Sequence, residues 1–209
     1  MVHKEFDPSS LSRVEQSKLI AGAVIPRPIA FVTTAGSAGV NAAPFSYFNV
    51  ACVDPPVLMF SISVPIAQRA GTIKDTLQNL REVPECVIHI VSHDIREAMN
   101  ICAAEHARGV DELAAAGLTA VPSRTVRPPR IAECPVAFEC RVLHVIPVGK
   151  IPYHLVLAEV QHMHYREDIV NERLHVDAQA MDPIARLAAA GAYSRITDTF
   201  VMPLPREAL

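Results

Sequence analysis

Between Ser61 and Asn79 the chain reads S-I-S-V-P-I-A-Q-R-A-G-T-I-K-D-T-L-Q-N, gathering Ser61, Ser63, Arg69, Thr72, Lys74 and Thr76 around a strand end and a helix start. Phosphate groups are bound by this combination of cations, hydroxyl donors and free N–H groups of a first helical turn. A lysine in that turn opposes the helix macrodipole by about 0.3–1 kcal/mol, and an anion at the same spot would reverse the sign. A capped surface helix with a solvated Lys74–Asp75 pair accounts for the same residues without a ligand.

A second stretch, Asn41 to Pro56, reads N-A-A-P-F-S-Y-F-N-V-A-C-V-D-P-P and carries a single charge, at Asp54. A core strand takes apolar side chains, so Asn41, Ser46 and Asn49 need a reason. Either they face solvent on an alternating strand or they line a pocket for something polar and flat. His154 lies in an otherwise apolar strand, where a histidine is either a hydrogen-bonded core or rim residue or a catalytic one. His162 and His164 alternate on the same strand, and an H-x-H pair can bind zinc, but no third ligand stands with them in sequence. Arg124, Arg127 and Arg130 form a basic, proline-stiffened run that suits either a solvated loop or a phosphate-bearing ligand. There is no G-x-G-x-x-G after a strand, no G-x-x-x-x-G-K-[ST] and no G-x-S-x-G, which removes the usual nucleotide loops and the α/β-hydrolase nucleophile.

The elements that must hold these residues are mostly short and β-branched. Strands are predicted over residues 29–34, 57–64, 86–91, 136–146 and 153–164, with a further strand in the Asn41–Pro56 stretch after an A-G-S-A-G turn. Residues 1–13 form a polar N-terminal arm. Leu77 and Leu80 share one side of a helix over residues 74–83. Asp94 and Glu97 make a capping box for a helix with Ile95, Ala98, Met99 and Cys102 on one face. Asp182-Pro183 reads as an N-cap with proline at the first helical position, opening an Ala-rich helix that stops near Gly191. The tail around Phe200 is a last strand. About six strands, not spaced as βαβ units, favour a mainly β fold: a closed antiparallel sheet with flanking helices.

Composition bounds the class. The 209 residues suit a single domain, with an arm over about 1–20 and a tail over about 195–209. A net charge of −3 gives no general attraction to nucleic acid or to anionic membrane. No apolar run reaches the roughly 18 residues of a membrane span, and the first residues lack a signal-peptide core. The five cysteines form no C-x-x-C pair and read as reduced thiols of a cytoplasmic protein, with no metal site.

Taken together, P-R-P-I-A-F-V-T-T at 26–34, G-x-N-A-A-P-F-S-Y-F-N from Gly39, D-P-P at 54–56 and K-D-T-L-Q-N at 74–79 resemble the flavin reductase-like family. His154 followed by L-V-L-A-E-V is similar to the strand histidine of its short-chain flavin reductases, and P-I-A-R-L-A-A-A-G-A-Y at 183–193 is similar to the family's late P-x-x-R-x-G-G-x-Y segment. The resemblance covers roughly residues 20–195. It implies a six-stranded antiparallel FMN-binding split barrel, usually a homodimer with flavin near the subunit interface. It also implies FMN or FAD reduced by NADH or NADPH, with reduced flavin passed to a partner monooxygenase or another acceptor. Carried over residue by residue, Thr33, Thr34 and the segment Ser46, Phe48, Asn49, Val50 and Ala51 would border the flavin ring. Ser46 and Asn49 would be donors to it, with Phe48 and Val50 packing away into the barrel. Ser61, Ser63, Lys74, Asp75 and Thr76 would hold the ribityl phosphate, and Arg27 would reach the same ligand. His154 would orient the nicotinamide as the catalytic residue, with Tyr193 beside it. Three positions depart from the pattern: Tyr153 replaces an acidic residue, Ala188–Ala190 replace the paired glycines, and Cys52 replaces a common serine.

Overall fold

The computed structural model describes residues 1–65, 71–188 and 191–203. The first half holds α1 (Arg13–Ala23), β1 (Arg27–Pro28), β2 (Ala30–Gly36), β3 (Gly39–Phe45), β4 (Phe48–Val53), β5 (Pro56–Ile62), α2 (Asp75–Glu82) and β6 (Glu85–Ile90). The second holds α3 (Arg96–Ile101), α4 (Glu112–Ala115), β7 (Ala120–Val121), β8 (Arg130–Ile131), β9 (Val136–Val148), β10 (Tyr153–Tyr165), α5 (Ala178–Met181), β11 (Ile184–Arg186) and β12 (Tyr193–Arg195). Among the described residues no helix is long and apolar enough to cross a membrane.

The strands predicted around residues 29–34, 57–64, 86–91, 136–146 and 153–164 all form, because each carries enough apolar surface to be buried on at least one face. Strand β2 is buried on both. Ala30 and Val32 point into one core with Phe60, Ile62, Leu77, Leu80, Ile88 and Val156, while Ile29 and Phe31 point into a second with Met99, Leu113 and Ile184. Leu77 and Leu80 do share the buried side of α2, which packs across β2.

The sheet differs from the six-stranded closed barrel expected from sequence. Among the described residues seven antiparallel strands run in the open order β3-β2-β6-β9-β10-β5-β4. The stretch Asn41–Pro56 is therefore two strands, and they lie at opposite ends of that order. Phe45 ends β3 and Phe48 begins β4, a step of three residues that spans at most about 11 Å. The sheet must roll on itself to bring its two edges that close. The Ser61 N–H donates to the Tyr47 carbonyl at 2.9 Å and straps the link to β5. The seam of the rolled sheet is thus made of Ser46 and Tyr47.

Three other expectations are corrected. Asp94 and Glu97 form no capping box: the cap of the turn at His93–Ile95 has no side-chain bond, and Glu97 pairs with Arg96 at 3.0 Å. A capping box forms instead at Ser12 and Glu15, which start α1. Asp182-Pro183 opens no helix. Asp182 closes α5 in the left-handed region at φ 46°, and its carboxylate pairs with Arg195 on β12 at 2.7 Å instead of capping. Residues 184–186 are then drawn into a small sheet in the order β1-β11-β12, while Ala189 and Ala190 lie outside the described residues. Phe200 is exposed and in no strand.

Candidate functional site

A cavity of about 630 Å³ opens at the seam. Helix α1 supplies one wall through Arg13, Val14, Ser17, Lys18 and Ala21, positions four apart and their neighbours, which share one face of a helix. No residue of α1 is buried; the helix is held by Arg27. That guanidinium donates to the carbonyls of Ala21 and Val24 (2.8 Å) at the helix C-terminus, and to Leu187 at 2.9 Å. Its buried Nε finds no acceptor among the described residues. The seam gives Pro44, Phe45, Ser46 and Tyr47, the end of β5 gives Ser61 and Ser63, and Lys74, Tyr153 and Arg186 complete the lining.

Two features of this lining are chemical. Five cations face the cavity (Arg13, Lys18, Arg27, Lys74 and Arg186) and, among the described residues, no carboxylate does, although the chain as a whole is net negative. Aromatic faces interleave with them. Tyr47 and Tyr153 stack at 6.0 Å and 17°, with Arg27 over Tyr47 and Arg13 over Tyr153, each at 5.8 Å. Lys74 Nζ lies 5.7 Å from the centre of Phe45. A polyanion carrying a flat ring fits this donor set, because cations and hydroxyls answer the charge and the aromatic rings answer the plane.

The residues singled out from sequence divide into three groups. Arg27, Ser46, Ser61, Ser63 and Lys74 converge on the cavity. Lys74 is the N-cap of α2, one position before the first turn, with no side-chain cap bond of its own. Arg69 lies outside the described residues.

A second group is committed to buried structure. Thr33 donates to the Pro129 carbonyl at 2.6 Å, and Thr34 receives Asn79 Nδ2 at 3.2 Å; both are fully buried, away from the cavity. Asn41, on β3, donates to Glu112 at 2.8 Å and accepts from Thr76 Oγ1 at 2.7 Å. Burial pushes the Glu112 carboxyl up, against its bonds to Asn41 and Ala42. Asp75 is buried and pairs with Arg108 at 3.2 Å. Asp75 and Thr76 line a smaller cavity of about 60 Å³, which meets the main one at Lys74.

The third group faces elsewhere. Phe48 pairs with Phe60 and packs on the core, but Asn49, Val50 and Ala51 are exposed on the edge strand β4. Val50 is 55% exposed, so it does not pack into a barrel. Asn49 Oδ1 accepts from the Val50 N–H at 2.8 Å. His154 stands opposite Ile62, a core residue, while Ser61, Ser63 and Tyr153 line the cavity. Successive strand residues point to opposite faces, so the pleat that turns Tyr153 into the cavity turns His154 out of it. There burial, and then Arg81, lower the imidazole. Tyr193 lies outside the main cavity, under the Arg186 guanidinium at 4.7 Å. His164 binds the buried Glu139 at 2.7 Å, and among the described residues no three His, Cys, Asp or Glu side chains gather as a metal site.

Sequence reading missed Arg13, Lys18 and Arg186. Ser12 and Glu15 as a capping box, followed by a cation and a serine four residues apart, would have marked α1 as a helix with a polar working face.

The chain is similar to several known proteins. A protein of Halalkalibacterium halodurans is 38% identical over 206 residues, covering 96% of each chain. The crystal structure of nitrilotriacetate monooxygenase component B from Bacillus cereus is 30% identical, with a TM-score of 0.90 over 97% of this chain and 100% of that one. That of Pseudomonas fluorescens 2-nitrobenzoate 2-nitroreductase is 33% identical, with a TM-score of 0.87 over 99% and 98%. Residues 22–184 match the flavin reductase like domain, and the chain belongs to that family.

Proposed function

We propose that this protein is an FMN-dependent NAD(P)H:flavin oxidoreductase that holds its flavin in the seam cavity. The observation that carries the reading is the lining of that cavity by five cations, with stacked tyrosines and no carboxylate among the described residues. FMN, when bound, supplies a ring that accepts a hydride from reduced nicotinamide and passes electrons on. This chain's part is to bind and orient. Lys74 and Arg186 neutralise the phosphate, Ser61 and Ser63 donate hydrogen bonds, and Arg27 holds α1 over the opening. Tyr47 and Tyr153 give the ring an apolar wall and exclude water from it.

The similarity to a monooxygenase component B supports delivery of reduced flavin to a separate monooxygenase. A second reading, direct reduction of a small organic substrate, is favoured by the similarity to a nitroreductase. A homodimer suits both, because β4 and α1 leave Val14, Ile20, Val50 and Val53 exposed.

Anaerobic stopped-flow mixing of the FMN-loaded protein with NADH or NADPH tests the proposal. Bleaching of the flavin absorbance at a saturable rate supports it. No bleaching with either nucleotide, in protein shown to retain FMN through gel filtration, overturns the reductase reading and leaves the second.

A further inference from the structure

Two of the five cations at the seam have no anion assigned to them. Lys74 and Arg186 answer the flavin phosphate in the reading above, and Arg27 is engaged by three backbone carbonyls. Arg13 and Lys18 remain, both on α1, both exposed and both lining the cavity. Among the described residues neither makes a hydrogen bond or an ion pair. Glu15, the one carboxylate of α1, is turned to the helix start, where it accepts from the Ser12 N–H at 2.8 Å and from its hydroxyl at 2.6 Å. Five residues apart, Arg13 and Lys18 are about 7.5 Å from one another along the helix axis, a spacing that two long side chains can close around two linked phosphates. The hydride donor, for its part, lacks a recognition residue in the cavity, because His154 and Tyr193 both lie outside it.

We infer that Arg13 and Lys18 hold the diphosphate of the nicotinamide dinucleotide, which makes α1 the helix that recognises the hydride donor. NADH and NADPH share that diphosphate, whose two negative charges are matched by two cations. Arg13 lies over Tyr153, one ring of the apolar wall proposed for the flavin, at 5.8 Å. A diphosphate held there leaves the nicotinamide, one ribose away, beside the flavin ring. The inference rests on the reductase reading above for the identity of the donor.

The test is calorimetric titration of ADP-ribose, which has the diphosphate but no nicotinamide, into FMN-loaded protein, with adenosine as the probe that lacks phosphate. Wild type should bind ADP-ribose at least about tenfold tighter than adenosine, and Arg13→Gln and Lys18→Gln should each weaken ADP-ribose by about tenfold. Both side chains are exposed, so the variants should fold, and FMN retained through gel filtration checks that. In turnover, the ratio of KM for N-benzyl dihydronicotinamide, a neutral hydride donor, to KM for NADH should fall by about tenfold in each variant. No binding of ADP-ribose, equal affinity for ADP-ribose and adenosine in wild type, ADP-ribose binding unchanged in either variant, or a KM ratio that does not fall overturns the inference. A larger loss of FMN than of ADP-ribose in the variants also overturns it and moves the two cations to the cofactor. ADP-ribose binding that depends on Arg13 and Lys18, in protein whose flavin neither nucleotide bleaches, supports the diphosphate site and overturns the reductase reading alone.

Discussion

Arg27 and Arg186 stand directly opposite one another where β1 pairs with β11, so their side chains share a face, and both line the seam cavity. Like charges opposed across a strand pair are destabilising by about 0.2–1 kcal/mol. The flavin phosphate proposed for this cavity would reverse that sign.

The phosphate should therefore dominate affinity. FMN is expected to bind at least about tenfold tighter than riboflavin, and Lys74→Met to weaken FMN by about tenfold while riboflavin stays within about twofold. Quenching of flavin fluorescence at constant ionic strength measures both. Equal weakening of the two flavins would place the phosphate away from Lys74.

The pleat of β10 separates two neighbours. Tyr153→Ala removes one ring of the Tyr47–Tyr153 stack and should weaken FMN by about tenfold, in line with 1–3 kcal/mol for a buried aromatic face. His154→Ala should leave FMN affinity within about twofold. A larger loss from His154→Ala than from Tyr153→Ala would mean that the faces are exchanged in the loaded protein.

The edge strand β4 is the expected contact between subunits. Val50 is 55% exposed there and Val53 81%, an apolar edge that single chains seldom leave uncovered. Val50→Asp should shift a dimer to monomer in sedimentation velocity with the melting temperature of the monomer unchanged. A dimer that survives the substitution would move the interface off β4.

Acid should act on two buried groups in sequence. The His89 Nε2 accepts from the Ile131 N–H at 2.9 Å, so Nδ1 carries the proton and donates to the Phe31 carbonyl, also at 2.9 Å. Burial lowers this imidazole from 6.5 to about 4. Between those values the unfolded chain takes up a proton that the folded chain refuses, so stability is full above 6.5 and falls by on the order of 3 kcal/mol as the pH drops through about 4. Burial would raise the Glu139 carboxyl, but Thr125, the Arg124 N–H and His164 outweigh it and bring it from 4.5 to about 2. Its stabilisation is lost in turn across that lower window. Urea melts at pH 8, 6 and 4 should show the first loss, and His89→Leu should flatten it while losing about 1–3 kcal/mol at pH 8, because the Ile131 N–H is left unpaired. An unchanged slope in His89→Leu would assign the acid lability elsewhere.

The sequence by itself determined most of the strands. Residues 29–34 and 153–164 read as strands because β-branched and apolar residues crowd them, whereas Ser61, Ser63 and Lys74 suit an anion site and a capped surface helix equally until the fold sets them around one cavity. Helix α1 was not legible as packing because it has no buried face; its place depends on Arg27 reaching its last carbonyls. Asn41 read equally as a solvent-facing or a pocket residue, and only the fold brings Glu112, 71 positions away, to its amide at the wall of the smaller cavity. Asp182-Pro183 reads locally as a helix start, yet Arg195 across β11 and β12 takes the carboxylate that would have capped it. The site itself is a product of tertiary structure, since a seam exists only once the sheet has rolled. Ser46 and Tyr47 are two residues between strands until the rolling brings Ser61, Tyr153 and Arg186 around them.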